Sequence, residues 1–380
     1  MFAKNRRLLY TVAFFQGLVF YGSIATLYRQ ASGLTVFQIT LIESISLAVM
    51  LLLEIPWGYA ADKIGYRRTI VLCNFLFFLS KLIFWKADCF GAFLAERLLL
   101  SIVLAGLSGC DSAFLYLQME GKNPKKVFSI YSVMGTVGLL FAAATFSLFL
   151  SSNLRQTAFF TCIAYAAAFL LSLFLTETEE DAGRKARQPM AFAELFKEIT
   201  GDKRLLRYLV ACAFLVEANQ TITVFLSQLQ YQKSGIPMHL FGYLYFLLTG
   251  VGIFALGAVP LGKRFGESGM LLLAGSACLA LCVTSLPLFS VACILLIRIS
   301  ASMLYPMMED EKNRQVHHAN RATVLSGYAM LMSIIGIFTN LAFGYLADQG
   351  IGYAMLFGGA LCIAGFLLLR IAKRGEYKRQ

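Results

Sequence analysis

Long apolar runs alternate with short polar breaks along the chain, and twelve runs reach the roughly 20 residues that a helix needs to cross a bilayer. They read as 8–28, 36–60, 69–85, 91–118, 127–150 and 155–175, then 206–228, 239–261, 268–285, 288–308, 322–346 and 352–371. The longest polar interruption, Thr176–Lys203, opens with the acidic run TETEED and continues through GRKARQP, the composition of a solvated linker. The pattern predicts an all-α membrane protein of two six-helix bundles, 1–175 and 205–380, joined by a linker over 176–204. Within that linker Phe192, Leu195, Phe196 and Ile199 recur at helical spacing after Pro189, which fits an amphipathic helix on the membrane face as well as a plain tether.

Composition agrees with lipid as the main solvent: 58% of residues are hydrophobic and 14% charged, against about 25% charged in a soluble domain. Nothing is left for a soluble catalytic domain. No short apolar core with a small-residue cleavage site is read at the start, so the first span is expected to act as its own insertion signal. The formal charge of +12 could point to nucleic acid, but its placement argues for topology. With both chain ends in the cytoplasm, most of the 33 basic residues fall in cytoplasmic segments, as the positive-inside rule requires. Only Arg29, Lys86, Arg155 and Lys233 fall in outer loops. The basic excess then meets anionic lipid headgroups and no nucleic acid. The nine cysteines are scattered through the spans, with only Cys278 and Cys282 a helical turn apart, and read as packing residues rather than a disulfide or metal site.

After the second span comes EIPWGYAADKIGYRRT. Gly58 permits close helix contact, Gly65 a tight turn at positive φ, and Asp62 stands where an acid can pair with bases or a helix N-terminus. Gly58, Asp62, Lys63, Gly65, Arg67 and Arg68 resemble the signature of the major facilitator superfamily between its second and third helices. PLGKRFGESG after the eighth span keeps Lys263, Arg264 and Gly266 without the acid, as a degenerate second copy would. RATVLSGYAM and GYLAD, at the two ends of the eleventh span, also look like members of this superfamily. The resemblance, to bacterial drug/proton antiporter-like members among others, implies a multi-pass protein of the cell membrane, monomeric and without a cofactor, that carries a small molecule by alternating access.

Ionisable residues inside spans are expensive and usually face a cavity or a partner. The resemblance implies that the first, fourth, seventh and tenth helices line the central cavity. Glu217 lies midway along the seventh and Arg298 midway along the tenth, so they are expected at one depth, either as a proton-exchanging pair or as a permanent structural ion pair. Gln220 belongs to the polar run around Glu217, and Gln16 stands in the first helix where many drug/proton antiporters carry an acid. Arg97, Ser101, Leu104, Ser108 and Asp111 fall on one helical stripe of the fourth span. Arg97 resembles a buried arginine of proton-coupled relatives, and Asp111 reads equally as a cavity acid or a structural one. Glu43 and Glu54 on the second helix are weaker candidates, Lys81 is expected to snorkel to the interface, and Glu309, Asp310 and Glu311 with His317 and His318 read as a solvated loop.

The expected function is proton-coupled efflux of small lipophilic organic compounds, with 17 Tyr and 33 Phe available either for an aromatic pocket or as lipid-facing bulk. Uptake or facilitated diffusion of a polar solute is the alternative. A membrane sensor or intramembrane enzyme is a remote one, because no HExxH, GxSxG or phosphate-cradling glycine loop is present and no soluble output domain is attached.

Overall fold

A computed structural model describes residues 2–119, 121–177, 201, 203–257, 259–315 and 321–377. The linker segment with Phe192 to Ile199, and the pair His317 and His318, lie outside the described residues. Every regular element among those described is helical. Twelve helices are long and apolar enough to cross a membrane: Phe2–Ala31 (α1), Val36–Leu53 (α2), Tyr66–Lys86 (α3), Phe90–Leu117 (α4), Pro124–Leu150 (α5) and Leu154–Ser172 (α6), then Lys203–Lys233 (α7), Met238–Ala255 (α8), Arg264–Val283 (α9), Pro287–Arg314 (α10), Gly327–Gln349 (α11) and Ile351–Ala372 (α12). Helix suits lipid because it satisfies each backbone donor and acceptor within the segment. Large apolar side chains such as Phe149, Phe254, Val283 and Leu288 stand on the outside, while Asn5, Gln118, Thr161, Thr221 and Gln230 are fully buried. A water-soluble domain would show the reverse.

The helices form two compact units. The first comprises Met1–Leu34, Ile45–Arg187 and Met238–Phe246, and the second Thr35–Ser44, Gln188–Pro237 and Leu247–Gln380. Each unit is therefore a six-helix bundle in outline, with the first turns of α2 packing in the second unit and those of α8 in the first. In the first unit α1 packs against α5 and α6, and α3 against α4 and α6. In the second, α7 packs against α11 and α12, and α9 against α10 and α12. The same four pairings recur six helices later, which is the mark of an internal repeat. The turns entering α3 and α9 repeat as well. Gly65 sits at φ 90° and ψ 145°, and Gly266 at φ 67° and ψ 172°, a region open in practice only to glycine.

Several spans are interrupted. In α1 the helix stops at Gly17 and resumes as helical turns at Gly22, and the freed amide of Phe20 donates to the Thr161 hydroxyl of α6 at 3.0 Å. In α4 the helix stops at Leu107 and restarts at Cys110 beyond a left-handed Gly109, so the expected stripe from Arg97 to Asp111 does not lie on one continuous helix. Ser101 is fully buried while Leu104 and Ser108 are exposed. In α5 and α7 the helix widens to a π turn, at Phe146–Leu150 and Ile222–Leu226 respectively. The acidic cluster Glu309–Glu311 is not a loop: the helix of α10 continues to Gln315, and Glu309 pairs with the buried Lys312 one turn on.

Candidate functional site

The second unit holds the two charges placed at mid-span by the sequence. Glu217 of α7 is half-buried, and its carboxylate lies against Gly336 of α11: a Cβ there would come within 2.7 Å of Oε2. Arg298 of α10 is also half-buried and lies against Gly252 of α8, where a Cβ would come within 2.8 Å of Nε. The two side chains are thus accommodated by glycines of different helices, and no ion pair joins them. No hydrogen bond or ion pair reaches Glu217 from any described residue. One turn along, Thr221 donates to Asn340 of α11 at 2.7 Å, immediately before the π turn of α7. Such turns recur at functional positions because they offset the helix face by one residue. Thr221 and Gln228 are buried, whereas Gln220 is exposed. Glu43 lies half-buried in the segment of α2 that packs in this unit.

That segment is firmly held. Asp348 of GYLAD accepts the amides of Val36 at 2.7 Å and Phe37 at 3.1 Å, neutralising the exposed donors at the start of α2. Ser44 donates to the Ile337 carbonyl at 3.1 Å.

In the first unit, Gln16 donates to Asn74 of α3 at 2.9 Å and its carbonyl accepts from Tyr165 of α6 at 2.8 Å, just before the interruption of α1. Ser46 of α2 meets Ser101 of α4 at 2.6 Å. Arg97 is half-buried. Asp111 begins the second half of α4, where it accepts the Ser112 amide at 2.8 Å and the Tyr131 hydroxyl of α5 at 3.0 Å, a structural arrangement at a helix N-terminus.

Two arginines of the signature make contacts among the described residues. Arg67 donates to the carbonyls of Leu175 at 2.7 Å and Leu173 at 3.4 Å at the end of α6, where a cation suits the helix dipole. Arg68 pairs with Glu177 at 3.2 Å in an exposed position. Lys63 is exposed, Gly65 makes the turn, and Gly58 and Asp62 lie within helix. A neighbouring polar network joins Asn5 and Arg6 of α1 to Gln118 and Thr176, closing the same end of the unit.

Lys81 does not snorkel. It is 4% exposed and pairs at 3.1 Å with Glu96, which is 1% exposed and which the sequence reading did not single out. The signal for it was present: α3 and α4 are joined by a tight turn, and each residue stands about one and a half turns from it, hence at one depth. Among the described residues no group of three His, Cys, Asp or Glu could hold a metal ion.

Residues 8–325 match the family model described as Major Facilitator Superfamily. No curated protein matches the chain by sequence. Solved structures match it in fold. A mutant of the nucleoside transporter NupG is 14% identical with a TM-score of 0.82, over 97% of this chain and 99% of that one. The peptide transporter POT in complex with sulfate is 15% identical with a TM-score of 0.73, over 98% and 94%. A bacterial homologue of the human lysosomal transporter Spinster, in an inward-facing and unoccupied conformation, is 19% identical with a TM-score of 0.71, over 97% and 94%.

Proposed function

Since the chain belongs to the major facilitator superfamily, we propose that it is a secondary active transporter that moves a small organic solute by alternating access, with a proton as coupling ion and Glu217 as its carrier. The observation behind this reading is the carboxylate of Glu217, half-buried within a membrane span and bonded to no described residue. An unpaired charge there is expensive. A proton on the carboxyl removes that charge, so binding and release of one proton changes which environment the residue favours. Within the second unit, Arg298 is the charged group proposed to orient the solute. The distribution of Lys and Arg supports an orientation with both chain ends on the cytoplasmic side.

On this reading protons enter as lipophilic organic compounds leave. Uptake of a polar solute is the second reading, favoured by Arg298 and by the fold shared with nucleoside and peptide transporters. Purified protein in proteoliposomes with an imposed pH gradient and an internal pH dye separates the two. Organic cations and nucleosides are added in turn, and solute movement against the proton gradient direction marks efflux. Movement with it marks uptake, and no movement of any solute at any gradient refutes the transporter reading.

A further inference from the structure

The Lys81–Glu96 pair has no part in that account, yet it is the most deeply buried ion pair described within the spans. Nζ of Lys81 reaches only Oε1 of Glu96, and Oε2 is buried with no hydrogen-bond partner among the described residues. A buried carboxylate oxygen with no donor is a costly state that natural structures retain for a reason. The ammonium, in contrast, has support of its own. It lies 5.8 Å from the ring centre of Tyr21 and 5.6 Å from that of Tyr165. Lys81 is thus held by two aromatic faces even when Glu96 carries no charge.

Tyr21 stands where α1 is interrupted, and Tyr165 donates to the Gln16 carbonyl at the other side of the gap. Other charged groups near the cluster are Arg29 of α1, whose guanidinium lies over the rings of Phe84 and Phe93 at 5.3 and 5.9 Å, and Arg155 of α6, close enough to act electrostatically on Tyr28, itself stacked on Phe84.

We propose that this pair is a second proton-binding centre, in the first unit, with Oε2 of Glu96 as the atom that takes the proton. The inference rests on the proton-coupled reading above and adds a site to it. Protonation forms one O–H bond at Oε2 with a proton drawn from water. It leaves the Lys81 ammonium intact and changes the pair from net neutral to a single positive charge, which the Tyr21 and Tyr165 faces hold. Release reverses each of these steps and restores the ion pair.

Infrared difference spectroscopy of the purified protein in nanodiscs, stepped between neutral and acidic pH, tests this with the proton itself as the probe. The wild type is expected to gain protonated-carboxyl bands, of which one is lost in Glu96→Gln and a different one in Glu217→Gln. The charge-neutral double variant Lys81→Met/Glu96→Gln removes both charges together and guards against misfolding of the single variant; it loses the same band as Glu96→Gln. Retention of every wild-type band in the double variant overturns the proposal. Loss of the Glu96 band with no band assignable to Glu217 upholds this centre and overturns the role given to Glu217.

Discussion

Glu217 and Arg298 illustrate how far a residue can be read from sequence. Their depth followed from counting along apolar spans, since each residue of helix rises about 1.5 Å. Their partners did not, because the direction of a side chain depends on which helices pack beside it. Gly336 and Gly252, which make room for them, carry no sign of this in the sequence. Alanine at Gly336 meets the flexible end of Glu217, with the nearest approach at 2.7 Å. We therefore expect Gly336→Ala to fold, with thermal stability changed by no more than the roughly 0.5–1 kcal/mol by which Ala and Gly differ in a helix, while proton-driven transport falls because the carboxylate is displaced. A melting scan together with a transport assay checks both halves. The buried and exposed ion pairs should also part company. Lys81→Met strands Glu96 and is expected to cost about 3–5 kcal/mol. Arg68→Ala, whose pair with Glu177 is exposed at both ends, should cost about 0–1 kcal/mol. Thermal unfolding in detergent compares the two directly.

At the scale of elements, the number of spans was legible because bilayer thickness fixes their length, but their interruptions were not. Ser108–Gly109 is a turn dipeptide and marks the break in α4, though it was masked by the apolar run around it. The break in α1 contains no proline, and α6 supplies an acceptor for one of its freed amides: Thr161 takes the Phe20 amide. Thr161→Val leaves that donor buried and unsatisfied, with an expected loss of about 1–3 kcal/mol; Thr161→Ser restores it. Amide exchange at Phe20 reports the difference. Asp348 belongs to a stretch recognised only by resemblance, and its role as the cap of α2 depends on a contact more than 300 residues away in sequence, with partners at 311 and 312 positions. Asp348→Ala is expected to weaken this cap by about 0.5–2 kcal/mol and to speed exchange at Val36 and Phe37.

For the whole molecule, the two units repeat one pattern of helix pairing, and the glycine turns at 65 and 266 repeat with it. The second copy of the signature could be recognised in sequence because turn geometry demands glycine even after the acid is gone. The exchange of the first turns of α2 and α8 between units was not legible, since it depends on contacts remote in sequence. Orientation belongs to this scale too. Cys89, the one exposed cysteine, lies between α3 and α4, on the outer side in the orientation proposed from the distribution of basic residues. A membrane-impermeant maleimide is expected to label it in right-side-out vesicles and not in inverted ones; the opposite result reverses the topology.

The central claim is that proton coupling runs through Glu217. Once a solute is identified, its proton-driven accumulation and its counterflow exchange are to be measured side by side in proteoliposomes for wild type and Glu217→Gln. The account predicts that the variant keeps counterflow and loses accumulation, because the path remains and the proton carrier does not. Accumulation equal to that of the wild type would contradict it.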